Sequence, residues 1–299
     1  MATIPECILY IQPLNTDWYK NKVSAIDILR LDVVHKHVSG NKWYKLKENV
    51  QHCLDNNIDT LITFGGGYSN HLAATAVAAE YFGLKCIGIV RGDYSGDRMT
   101  DTLRHCIGYG MELTFVSYEE YKLKDDREWL NTLTDKYPNS FIVPEGGANE
   151  LGRLGIAAIA EYISDTYTHI AVSVGTGTTL VGLVNALPEY QKVYGYVPMK
   201  GGSYLEEELN VLVNGEKCFQ LFDDWHFGGF GKHTDDLVQF MNEFYSLNDI
   251  PLDIVYTAKM MYGIQKQLDA NIFDKDSKLL CIHTGGLQGN STIANKLIY

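Results

Sequence analysis

The feature that most constrains this chain is a long alternation of short apolar runs with helix-forming stretches, several of the runs ending in glycine. Leu61-Ile62-Thr63-Phe64 reads as a buried strand ending in Gly65-Gly66-Gly67, and Leu72 to Phe82 as an alanine-rich helix stopped by Gly83. Cys86 to Val90 is the next strand. A helix around Met99 to Cys106, a strand at Leu113 to Val116, a charged helical stretch near Asp125 to Leu133 and a strand at Phe141 to Val143 follow. Such alternation predicts parallel strands with helices on the sheet faces. A second series begins where Ile156, Ile159, Ala160 and Ile163 fall at helical spacing, predicting a helix over 155–163. It continues with a strand at His169 to Val174, a helix from Thr178 to Leu187, a strand at Val193 to Val197, a helix from about Tyr256 and a last strand at Leu279 to Ile282. Ahead of both series, Ile26 to Leu31 reads as a strand and Trp43 to about Leu54 as a helix.

A chain of 299 residues accommodates one large domain or two modest ones. With 37 acidic against 25 basic side chains, its formal charge of −12 argues against nucleic acid or an anionic membrane as the main partner. An anionic ligand therefore needs a local site. The six cysteines, Cys7, Cys53, Cys86, Cys106, Cys218 and Cys281, include no C-x-x-C pair and read as reduced thiols, which suggests a cytoplasmic protein. No apolar stretch approaches the roughly 20 residues of a membrane span, and the first residues lack a signal-peptide pattern.

Three places carry possible chemistry. Ser39-Gly40-Asn41-Lys42-Trp43-Tyr44-Lys45 sets a lysine after small residues at a strand-to-helix junction. A lysine that attacks a carbonyl must be neutral, and partial burial favours that form. Lys42, Lys45 and Lys47 could equally form one solvated helix face. Val174-Gly175-Thr176-Gly177-Thr178-Thr179 follows a strand and opens a helix, so free N–H groups and threonine hydroxyls could cradle a phosphate. The glycines at 175, 177 and 182 do not fit a dinucleotide fingerprint. Gly65-Gly66-Gly67-Tyr68-Ser69-Asn70-His71 stands at another strand end, where Ser69 or Asn70 could cap the helix and the glycines could let backbone approach a flat ligand.

Taken together, SGNKWYKL at 39–46, GGGYSNH at 65–71, GGANELGRLG at 146–155, VGTGTT at 174–179, PLDIVYTAK at 251–259 and HTGG at 283–286 resemble the pyridoxal-phosphate enzymes grouped as 1-aminocyclopropane-1-carboxylate deaminases and D-cysteine desulfhydrases. That resemblance spans nearly the whole chain. It implies the tryptophan-synthase-β fold type, with two doubly wound three-layer α/β domains: a large cofactor-binding domain of residues 1–42 plus 151–299, and a small α/β domain of 43–150 inserted in it. It implies pyridoxal 5′-phosphate held covalently by Lys42, with Lys45 near the phosphate and Gly175, Thr176, Gly177, Thr178 and Thr179 around it. Asn70 would bond the cofactor's phenolic oxygen, while Ser69, Asn70 and the His71 backbone would receive the substrate carboxylate. Tyr256, Thr257 and Thr284 would bracket the pyridine ring. The catalytic base stays open among Lys42, Ser69 and Tyr256.

The resemblance divides at two places: the deaminase branch has Glu and Leu where Thr257 and Thr284 stand, whereas the desulfhydrase branch is similar to this chain in having threonine at both. A hydroxyl in place of a carboxylate makes a shallower electron sink, suited to elimination of a good leaving group. Three departures stand out. Phe230 occupies a place where the family usually has a tyrosine near the substrate, Arg30-Leu31-Asp32 replaces a longer basic-acidic run, and Tyr44 replaces an arginine. The expected activity is β-elimination from a small amino acid, D-cysteine foremost, by a cytoplasmic homodimer with no nucleic-acid or membrane partner. Aminocyclopropane deamination, a slow or inactive cofactor-binding homologue, and a phosphometabolite-binding protein using only the glycine loops are the alternatives.

Overall fold

Residues 9–34, 38, 40–215 and 217–299 are described in a computed structural model; Cys7 and Ser39, both named above, lie outside them. The described residues form two compact units, one of residues 38 and 42–155, the other of residues 9–34, 40–41 and 156–299. Ten strands run in chain order: β1 (Ile11–Pro13), β2 (Ala25–Arg30), β3 (Thr60–Gly66), β4 (Lys85–Arg91), β5 (Met111–Val116), β6 (Ser140–Val143), β7 (His169–Ser173), β8 (Lys192–Tyr196), β9 (Phe219–Phe222) and β10 (Lys278–His283).

The first unit holds a parallel sheet in the order β5-β4-β3-β6. Its central strand β3 is buried from Thr60 to Gly65, as a strand covered on both faces must be. Ile62, Phe64, Ile87, Ile89, Val116, Tyr121 and Leu133 form one core cluster. The helix Asn70–Phe82 ends at Gly83, whose φ of +71° is the left-handed stop that the sequence suggests.

The second unit holds a six-stranded sheet in the order β1-β2-β10-β7-β8-β9. All of its pairings are parallel except β1 with β2, which is antiparallel. The strands read from the sequence as an alternating series all pair in parallel, and β1 is an addition to them. β1 is a three-residue edge strand ending in Pro13, which has no N–H to give a further neighbour. Against one face pack the helices Asp235–Asn248 and Thr257–Asp269, burying Phe240, Met241, Phe244, Met260, Met261, Ile264 and Leu268.

The helix expected over 155–163 is corrected. An α-helix runs Glu150–Ala157, a 3-10 turn takes Ala158–Tyr162, and Ile163 is extended. Ile156 and Ile159 are both fully buried, and a three-residue repeat aligns them as well as an α-helix does, so apolar spacing alone does not separate the two. Among the described residues no helix is long and apolar enough to cross a membrane.

Candidate active site

In the first unit Lys42, Lys45 and His71 lie near one another at the helix Asn41–Asp55. Lys42 is half-buried, and Lys45, one turn on, is only 3% exposed. The solvated-face reading therefore fails for Lys45. Glycines explain how it is buried: a Cβ on Gly155 would sit 1.9 Å from the Tyr44 carbonyl oxygen, and one on Gly147 would sit 3.1 Å from Lys45 Cβ. The segment 146–155 thus lies directly on this helix, and Asn149 Nδ2 donates to Asn49 Oδ1 at 2.6 Å. Burial, with the Lys42 charge adding to it, holds the Lys45 ammonium well below the usual lysine range. Among the described residues no carboxylate pairs with it.

His71 lies in the same neighbourhood and is buried, and its basicity is driven well below the ordinary value by burial, then by the Lys42 and Lys45 charges. Thr63 Oγ1 donates to the Val143 carbonyl at 2.7 Å, so at 2.8 Å it accepts from His71 Nε2. The imidazole is then neutral with its proton on Nε2, and Nδ1 is a buried acceptor with no hydrogen-bond partner. Ser69 caps the helix Asn70–Phe82, its Oγ accepting from the Leu72 N–H at 3.2 Å, which leaves its hydroxyl hydrogen for a ligand. Asn70 is the first residue of that helix and half-buried.

Two of the three glycines at 65–67 are packed against side chains. A Cβ on Gly65 would meet Ser69 Oγ at 2.6 Å, and one on Gly67 would meet the Tyr94 ring at 2.4 Å. The protein's own side chains thus already call for glycine at both places, whereas a Cβ on Gly66 would meet nothing closer than Arg91 Nη2 at 3.5 Å.

In the second unit, the loop after β7 turns at Gly177, whose φ is +75°, and opens the helix Thr178–Ala186 without a side-chain cap. Its first N–H groups are thus left to a ligand. Thr176 is exposed, Thr178 and Thr179 are buried, and Thr176 Oγ1 lies 3.0 Å from Thr178 Oγ1. Thr179 Oγ1 accepts from Asn41 Nδ2 at 2.8 Å, while the Asn41 N–H donates to the Thr284 carbonyl at 3.2 Å. A Cβ on Gly40 would stand 2.0 Å from that same carbonyl, so glycine is obligatory there. Asn41, directly before Lys42 in the chain, is thereby fixed to both the Gly175–Thr179 loop and Thr284. The Arg30-Leu31-Asp32 departure proves to be a buried bidentate pair, Arg30 donating to both Asp32 oxygens at 2.8 and 2.7 Å.

At the start of the helix Thr257–Asp269, Asp253 is the organising group. Its buried carboxylate accepts from the N–H groups of Val255, Tyr256 and Thr257 at 3.0, 2.8 and 2.8 Å, and from Thr257 Oγ1 at 2.6 Å. Thr257 Oγ1 in turn accepts from the Asp253 N–H at 2.8 Å. The hydroxyl proton is committed to Asp253, so toward any further group Thr257 offers a lone pair. Tyr256 is half-buried, its ring near Gly175 and edge-on to Phe230 with centroids 5.7 Å apart. Phe230 is exposed.

Sequence reasoning overlooked Thr63 and Asp253, and Asn41 it read only as part of the turn before Lys42. Asp253 had a signal: an aspartate just ahead of a helix is a favoured cap whose carboxylate reaches the N–H groups two and three residues on, here those of Val255 and Tyr256.

A sequence model of the pyridoxal-phosphate dependent enzymes matches residues 34–285. The chain belongs to that family. A protein of Pyrococcus horikoshii named as a putative 1-aminocyclopropane-1-carboxylate deaminase is 29% identical, the match covering 91% of this chain and 87% of its own. D-cysteine desulfhydrase of Yersinia enterocolitica is 28% identical over 87% of this chain and 86% of its own. A bifunctional D-cysteine desulfhydrase and aminocyclopropane deaminase of Arabidopsis thaliana is 27% identical over 88% and 72%. The crystal structure of an aminocyclopropane deaminase homologue superposes with a TM-score of 0.83 at 27% identity, covering 100% of this chain and 95% of that one. These agree with the fold: two α/β units on sheets that are parallel apart from the β1 edge, of the pyridoxal-phosphate type resembling tryptophan synthase β.

The residues present suit pyridoxal 5′-phosphate. An uncapped helix start with threonine hydroxyls suits a phosphate, and a buried lysine ammonium without a carboxylate suits an anionic ligand. When bound, the cofactor supplies an electron sink for charge developing at the substrate's α-carbon.

Proposed function

We propose that this enzyme is a lyase that removes the β-substituent of a small amino acid, D-cysteine foremost, converting it with one water to pyruvate, sulfide and ammonia. The observation that carries this reading is the hydroxyl, rather than a carboxylate, that Thr257 presents at its helix start, with Thr284 at the end of β10. Lys42 holds the cofactor covalently. Lys45 and the Gly175–Thr179 loop hold its phosphate, the latter through N–H groups at the start of the Thr178 helix. Asn70 bonds its phenolic oxygen, and Tyr256 and Thr284 flank its ring. Ser69, with a free hydroxyl hydrogen, receives the substrate carboxylate together with the N–H groups of Asn70 and His71. The proton at the α-carbon passes to Lys42, Ser69 or Tyr256. Phe230 bounds the substrate without a hydroxyl to offer it. The enzyme works in the cytoplasm as a homodimer of a large domain, 1–42 plus 151–299, and a small one, 43–150.

A second reading is favoured by Asp253. With a buried carboxylate one hydrogen bond behind it, Thr257 accepts from a protonated nitrogen better than an isolated hydroxyl would, which deepens the sink and suits opening of a cyclopropane ring. One assay separates the two. Purified protein given D-cysteine should release pyruvate and sulfide, and given aminocyclopropane carboxylate little or no α-ketobutyrate. Faster α-ketobutyrate than pyruvate release overturns the first reading in favour of the second.

A further inference from the structure

Lys259 lies two residues after Thr257 on the helix Thr257–Asp269 and is 2% exposed. Its ammonium donates to three backbone carbonyls, those of His226 and Gly229 at 2.9 Å and that of Pro198 at 3.3 Å. A lysine at this depth is ordinarily paired with a carboxylate. Asp253 favours the charged form, yet burial dominates and brings the group down to about 8.

The segment that this ammonium holds has little regular structure of its own. Phe227, Gly228, Gly229 and Gly231 have φ of +53°, +94°, +126° and +71°. Its internal ties are short-range: the Gly228 N–H to His226 Nδ1 at 2.9 Å, the Gly229 N–H to the His226 carbonyl at 3.0 Å, and the Lys232 N–H to the Gly229 carbonyl at 3.0 Å. Such backbone persists only where its surroundings fix it. At the tip Phe230 meets the Tyr256 ring, which itself stands 3.4 Å from the point a Cβ on Gly175 would occupy. One buried cation therefore joins the helix that carries Thr257, the loop that carries Phe230 and the segment after β8.

From this geometry we infer that Lys259 is a positioning residue, clamping residues 226–230 so that Phe230 stays on Tyr256 and bounds the substrate. The role of Phe230 toward substrate rests on the proposed function, whereas the clamp rests on the hydrogen bonds alone.

Hydrogen exchange followed by mass spectrometry on the whole protein as purified tests the clamp without any substrate. In Lys259→Met, amides of 226–232 should exchange about 10-fold faster, the factor expected of losing one charge-assisted hydrogen bond, while β10 keeps its protection. Lys259→Arg, which keeps a buried cationic donor, should restore much of the protection. Loop exchange at the wild-type rate in Lys259→Met, or equal exchange in the Met and Arg variants, overturns the clamp. With an amino acid that is turned over, Lys259→Met should raise KM more than it lowers kcat, and Arg should reverse the change. A KM that does not move, with the loop loosened, overturns the link to substrate and leaves the assignment of the reaction untouched.

Discussion

Asp253 has the densest set of local bonds of any single side chain near the proposed site, receiving three N–H groups and one hydroxyl. Replacing it by asparagine turns one accepting oxygen into a donor that faces those N–H groups. The loss of a cap and of charge-assisted bonds should cost about 3 kcal/mol, read as a lower denaturant midpoint with an unchanged slope. The same substitution frees the Thr257 proton, so the visible spectrum of the bound cofactor should shift as well. An unchanged midpoint would mean that the cap carries little stability. Thr257 was legible in the sequence as a residue at a helix start, but its orientation was not. Which way its proton points depends on Asp253, whose carboxylate comes within 2.6 Å of it only when the residues between them turn. Lys45 was similar: three-residue spacing placed it one turn from Lys42, and only the packing of Gly147 and Gly155 on that helix decided that it is buried.

At the level of elements, apolar runs located β3, β7 and β10 because these strands are buried along nearly their whole length, and Gly83, whose φ is positive, marked the end of the helix Asn70–Phe82. What escaped were elements whose form depends on partners. β1 is an edge strand of three residues, and the chain after Ala157 tightens into a 3-10 turn that the same isoleucine spacing permits. β7 carries a pH-sensitive group at its first residue. The His169 ring is packed edge-on against Tyr194 and Phe273, and burial, with Lys192 adding to it and Asp274 opposing, lowers it to about 4. The unfolded chain, at the ordinary histidine value of 6.5, takes up a proton first as the pH falls. Stability is therefore full above pH 6.5 and declines below it, with the decline from this group ending near pH 4. At pH 5 the loss should be about 2 kcal/mol. His169→Gln should flatten that part of the profile in urea titrations. An identical slope in the variant would assign the acid sensitivity to other groups, such as His71.

For the whole molecule, a formal charge of −12 works against an anionic cofactor at long range, so its retention depends on local donors, proposed above to be those of the Gly175–Thr179 loop and Lys45. Removing the cofactor should lower the melting temperature, and restoring it at a hundred times its Kd should return about 2.7 kcal/mol. Indifference of the melting temperature to added cofactor would contradict specific binding to the folded chain. Family and fold were legible because the motifs recur in order along nearly the whole chain; the substrate was less so, because the roles proposed for Thr257 and Phe230 depend on neighbours that the sequence does not identify. Borohydride reduction of the protein as purified, followed by peptide mapping, bears most directly on the role of Lys42. The protein should absorb visible light before reduction, the peptide holding Lys42 should carry the reduced pyridoxyl group afterwards, and Lys42→Ala should lose both. An adduct on another lysine, or one that persists in Lys42→Ala, would contradict that assignment.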